Sequence, residues 1–156
     1  MKPFNQTNYI KNDKFARDAV KNLFKTNWNI ILEDNPDKYG IDLLGYYKGK
    51  YLYIEASRNN TQNWIENKFY TDTLSPFKDI TIFERRLKYL KSCYDNQYYY
   101  YCQTNKHGNL FALLKITEKI LSIPLKPKFQ TPLSENYLKK DMALSIETKN
   151  FKFYEI

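Results

Sequence analysis

The stretch YGIDLLGYYKGKYLYIEASRNN, Tyr39 to Asn60, constrains the fold more than any other part of the chain. Its two runs, IDLLGYY and KYLYIEAS, are rich in aromatic and branched residues and have strand length. KGK, Lys48 to Lys50, separates them, and Gly49 is free to take positive φ, so the pair reads as a β-hairpin. The hairpin brings Asp42, near the start of its first strand, toward Glu55, near the end of its second. Asp42 falls opposite a residue between Lys50 and Glu55, and only the register decides whether the two carboxylates meet. Side by side they form an oxygen site suited to a hard divalent cation such as Mg²⁺.

The flanking sequence supplies the rest of the architecture. In DKFARDAVKNLFK, Asp13 to Lys25, apolar residues at Phe15, Ala16, Ala19, Val20, Leu23 and Phe24 mark one face of a helix, with Asn12 or Asp13 as its cap. WNIILE, Trp28 to Glu33, reads as a short buried strand, and EDNPDKYG as a loop. After the hairpin, RNNTQNWIENKFYTDTLSPFKD is polar and broken by Pro76. A helix is expected from Thr81 to Tyr94, then the strands NQYYYYCQT and NLFALLKIT across an NKHGN turn. The prolines at 124, 127 and 132 mark an irregular crossing, followed by a short helix near Ser134 to Lys140 and a last strand, NFKFYEI. This order predicts a single α/β domain over residues 1–156, with a central mixed five-stranded sheet flanked by helices.

Composition narrows the partners. The net charge is +8, from 25 Lys and Arg against 17 Asp and Glu, and there are 15 tyrosines. A basic, aromatic-rich chain suits a polyanion, with nucleic acid foremost, although Lys, Asn, Tyr and Ile are also what an AT-rich genome encodes. One histidine, His107, and two cysteines, Cys93 and Cys102, cannot assemble a Cys/His zinc site, and free thiols fit a reducing compartment. No apolar run approaches the ~20 residues that span a bilayer, and the polar start MKPFNQTNYIKNDK has no signal-peptide core. The expectation is a cytoplasmic protein that does not contact membrane.

GID, a turn and then YIEAS resembles the core pattern of the PD-(D/E)XK nuclease superfamily, an acid, a β-hairpin and then E-x-K. The element order over Asp13 to Ile116 is also similar to that family's restriction-endonuclease-like core. The Trp and basic segment after the motif are similar to small phage- and virus-type members. The resemblance implies a Mg²⁺- or Mn²⁺-dependent endonuclease acting on DNA. It implies Asp42, Glu55 and the Ala56 carbonyl as metal ligands, with Asp18 as a weaker match to an acid on the family's first helix. Many members cut as dimers, so it also implies a homodimer, for which the tail from Leu121 onward offers a surface.

The chain departs from the pattern at Ser57, where the family carries lysine. That lysine orients the attacking water and steadies charge on the phosphate. Losing such a group costs on the order of 10²–10⁴ in rate. Three replacements are open. Arg58 is adjacent but points to the opposite face of a regular strand. Lys68 can fold back into the site from the following segment, and it is the replacement favoured over the arginines as the catalytic cation. Arg85 or Arg86 can grip a phosphate with a bidentate guanidinium. FERRLKYLK, which includes Arg85, Arg86 and Lys88, is either a solvated helix face or a phosphate-gripping one. Trp64 either caps the core or stacks on an unpaired base. Three functions therefore compete: a metal-dependent nuclease, a catalytically inactive nucleic-acid-binding or structural protein on the same fold, and a protein-interaction module.

Overall fold

The computed structural model describes residues 6–37, 41–59, 79–87, 98–129 and 140–156. Helix α1 (Gln6–Trp28) leads into β1 (Glu33–Asp34), β2 (Leu43–Tyr47) and β3 (Lys50–Arg58). Next come β4 (Asp79–Phe83), α2 (Glu84–Leu87), β5 (Tyr98–Thr104), β6 (Leu110–Lys115) and α3 (Glu118–Leu121). The chain ends with β7 (Lys126–Phe129), β8 (Lys140–Glu147), a single 3₁₀ turn and β9 (Lys152–Glu155). The fold is α/β, and its main sheet is mixed. That sheet has six strands in the order β1-β2-β3-β5-β6-β9, not the expected five, and a second sheet of three strands runs β4-β8-β7.

The hairpin forms as the sequence predicts, with a tighter turn. Tyr47 pairs with Lys50, leaving Lys48 and Gly49 as a two-residue loop. Both have positive φ, 51° and 79°, the signature of a type I′ turn, whose twist matches that of the flanking strands. From this turn the register counts to Leu43 opposite Ile54. On its other edge β3 pairs in parallel with β5, with Glu55 opposite Tyr101 and Ser57 opposite Gln103.

Alternation along the strands builds two cores. Leu52, Ile54 and Ala56 of β3, with Cys102, Phe111 and Leu113, pack against Ala16, Val20, Leu23 and Phe24 of α1. Tyr99, Tyr101, Leu110, Ala112 and Leu114 face the other way, against Ile80, Ile82, Leu144 and Ile146 of the second sheet. The six-stranded sheet is thus the middle of three layers. Glu55 and Ser57, one and three places from Ile54, share the face that looks toward the second sheet.

Several local expectations are corrected. Trp28 belongs to α1 rather than to a strand: its ring packs on Phe24 one turn back, with centroids 4.9 Å apart. Asn29, at φ 54°, then ends the helix, and the Ile30 N–H donates to the Phe24 carbonyl. Thr81 to Phe83 is strand, not helix; Ile80 and Ile82 are buried on one side of β4, a period of two that outweighs the helical spacing. Pro127 lies within β7, where its missing N–H is tolerated because that strand is an edge. The expected helix near Ser134 to Lys140 lies outside the described residues except for Lys140, which opens β8. Among the described residues no helix is long and apolar enough to cross a membrane.

The turn gives a direct test. Gly49→Ala forces a Cβ into the left-handed region and should lower stability by about 1–2 kcal/mol. Lys48→Asn, a better residue for positive φ, should raise it slightly. Urea unfolding of the two variants measures both effects.

Candidate metal centre

One rung beyond the last pair of the hairpin, Asp42 lies opposite Glu55. Here β2 leaves β3, and side chains take over from the main-chain ladder. The Ala56 N–H, which would otherwise face an empty strand position, donates to Asp42 Oδ2 at 2.9 Å. The Asp42 N–H donates to Glu55 Oε1 at 3.2 Å, and the Asp42 carbonyl accepts from the Asn35 N–H at 3.0 Å. The two carboxylates are thereby locked side by side by the backbone that each serves.

Glu55 is only 4% exposed. Burial, reinforced by the Asp42 carboxylate, pushes its pKa up to about 8 against the pull of Arg86 and of the Asp42 N–H. Burial also raises Asp42, with Asp13 adding to the effect, while the Ala56 N–H, Arg86 and Arg17 oppose it. Arg86 supplies the local positive charge. Its Nη1 lies 3.4 Å from Glu55 Oε2 and donates to the Ala56 carbonyl at 3.1 Å. Those are two of the oxygens expected to ligate a metal. The guanidinium therefore bridges the same atoms that a divalent cation would.

The donor set fits a hard cation: two carboxylates and a main-chain carbonyl, all oxygen, with water able to complete the shell. Among the described residues no three His, Cys, Asp or Glu side chains gather as a metal cluster, so such a site rests on Asp42, Glu55 and the Ala56 carbonyl alone. A cleft of about 180 Å³ opens beside it, lined by Asn12, Asp13, Ala16, Ser57, Arg58 and Arg86 among others.

Ser57 stands on the same face as Glu55 but is drawn into a polar row behind it. Its side chain meets the buried Tyr101 hydroxyl, which also accepts from Gln103 Nε2 at 3.0 Å. Gln103 Oε1 in turn accepts from Asn59 Nδ2 at 3.3 Å. Arg58 points to the helix side, as expected from strand alternation. Its guanidinium stacks on Phe15 at 3.8 Å, and it donates to Asn12 Oδ1 and to the Lys106 carbonyl, tying α1 to the turn before β6. Arg85 is exposed and lies over the Phe83 ring. Lys68, Trp64 and Lys88 lie outside the described residues.

The acid on α1 nearest this site is Asp13, not Asp18. Asp18 is 55% exposed and pairs with Lys14. Asp13 lines the cleft and pairs with Arg17, which also reaches Asp34 at 3.2 Å. The helical stripe contained this signal, because Asp13 is in step with Ala16, Val20 and Leu23 while Asp18 is not. Tyr101, Gln103 and Asn59 were not visible as site residues, since only the parallel register places them there.

No family model, curated protein or solved structure matches the chain.

The raised Glu55 pKa predicts a pH effect with a definite sign. The folded protein holds this proton up to about pH 8, whereas the unfolded chain releases it near the ordinary glutamate value of 4.5. The associated stability is therefore present below that lower value and lost as pH rises toward 8. Denaturation midpoints of the metal-free protein between pH 5 and 8.5 should fall more steeply for the wild type than for Glu55→Gln, which cannot ionise.

Proposed function

We propose that the chain is a metal-dependent nuclease of the PD-(D/E)XK type, acting on DNA, with Asp42, Glu55 and the Ala56 carbonyl as the ligands of Mg²⁺ or Mn²⁺. The observation that supports this reading is the rung Asp42–Glu55, where two carboxylates and a carbonyl converge in a buried corner beside an open cleft. A bound cation there supplies Lewis-acid stabilisation of the phosphate and a lowered pKa for the attacking water. Asp42, raised by burial and by Asp13, and Glu55, raised by burial and by Asp42, would both ionise more readily with a cation beside them. Arg86, released from Glu55, turns its planar fork toward the phosphate in the cleft and replaces the charge that Ser57 lacks.

A second reading is favoured by the same arginine. If Arg86 holds Glu55 and the Ala56 carbonyl permanently, the guanidinium does the work of the cation, and the protein binds nucleic acid without cutting it. The two readings differ in the affinity of the site for metal. A divalent ion gains more from the loss of a neighbouring positive charge than the proton it displaces does.

Single-stranded, duplex and branched DNA, and RNA, incubated with Mg²⁺, Mn²⁺ or EDTA, should show metal-dependent cutting of DNA that disappears in Glu55→Ala. Absence of cutting, with retention of a substrate in a gel shift under EDTA, selects the binding protein. Arg86→Met should bind Mn²⁺ about tenfold more tightly by titration calorimetry, the size of one charged hydrogen bond removed. On the nuclease reading it should also lose cleavage.

A further inference from the structure

The end of the main sheet remote from Glu55 carries a second surface that the carboxylate site does not use. β3 begins there at Lys50, about 16 Å from Glu55 at the usual rise per residue. On the α1 side of the sheet the helix stops at Trp28 and leaves a cleft of about 220 Å³ beyond it. Trp28, Tyr47, Tyr100, Tyr154 and Lys152 line this cleft. The Trp28 ring meets Tyr154 edge-on at 5.0 Å, and Tyr98 lies 6.5 Å from Tyr100. Tyrosines on a sheet commonly only pack, but these are joined by cations. Lys50 and Lys115 both lie over Tyr98, at 5.2 and 5.0 Å, and Lys48 lies over Tyr47 at 5.1 Å.

Lys50 and Lys115 concentrate positive charge around one ring, which favours an anion there. Among the described residues none of Lys48, Lys50, Lys115 and Lys152 is in an ion pair. Among the described residues no carboxylate lines the cleft. We infer that this surface is a platform for single-stranded nucleic acid, with bases stacked on its aromatic rings and phosphates held by Lys50, Lys115 and Lys152. An acidic peptide would satisfy the lysines but leave the rings uncovered. A duplex would offer phosphates but keep its base faces inside the stack. An unpaired strand presents planes and charges together along its length.

The inference does not depend on the metal centre, so the test is run in EDTA, where cutting is off. Fluorescence anisotropy of a labelled oligothymidylate and of a matched duplex measures binding across a salt series. The single strand should bind more tightly than the duplex. The double variant Lys115→Gln/Lys152→Gln should lose about five- to tenfold in affinity and reduce the salt slope by about 1.4, or ~0.7 for each charge removed. Tyr47→Ala should lose about tenfold, whereas Tyr47→Phe, which keeps the ring, should not. The exposed lysine positions keep the test decisive if Tyr47→Ala fails to fold. The proposal is overturned if the wild type does not bind the strand, if the duplex or polyglutamate binds as well, or if the lysine variant binds unchanged.

Discussion

A carboxylate at 4% exposure must either keep its proton or acquire a positive neighbour, and Glu55 does some of each. Much of the local architecture is arranged around that necessity. β2 ends where it does because the Asp42 side chain, rather than another rung of main chain, takes the Ala56 N–H. α2 follows β4 without a loop, and that brings Arg86 onto Glu55. The polar row from Ser57 through Tyr101 and Gln103 to Asn59 then satisfies the groups buried behind the carboxylate. Without Arg86 the same burial would hold the proton on Glu55 still more firmly.

The positive charge nearest the carboxylates does not come from position 57. The position that carries lysine in the family pattern points toward Tyr101, and the local positive charge comes from a different layer of the fold. A lysine on β3 would be fixed relative to Glu55 by the strand itself. Arg86 is carried instead by α2, directly after β4 of the second sheet. Its position can therefore respond to what else enters the site, which a strand-borne lysine could do far less.

Legibility in the sequence followed the range of the interactions. The hairpin was readable because its turn, its alternation and its two carboxylates lie within 22 consecutive residues. Strands β5 and β6 were readable for the same reason, as two aromatic or apolar runs around Gly108. β4 was misread as helix because Phe83, Leu87 and Leu90 also fit a helical stripe, and only burial against β8 separates the two periods. The second sheet could not be foreseen, since β4 pairs with a strand some sixty residues later. The aromatic surface near Trp28 is hidden in the same way: its residues come from six elements, and each reads locally as ordinary strand or helix sequence.

The parallel pairing of β3 with β5 has a further consequence. Parallel neighbours cannot be joined by a tight turn, so the chain must leave the main sheet after β3, and it contributes β4 and α2 to another layer before returning. Arg86 is carried on this excursion. Its grip on Glu55 thus closes only when two sheets that share no strand have come together, long after the hairpin can form by itself. The charge balance of the buried corner is in this sense a checkpoint for assembly. A chain with its hairpin folded but its layers undocked holds two carboxylates with no guanidinium beside them.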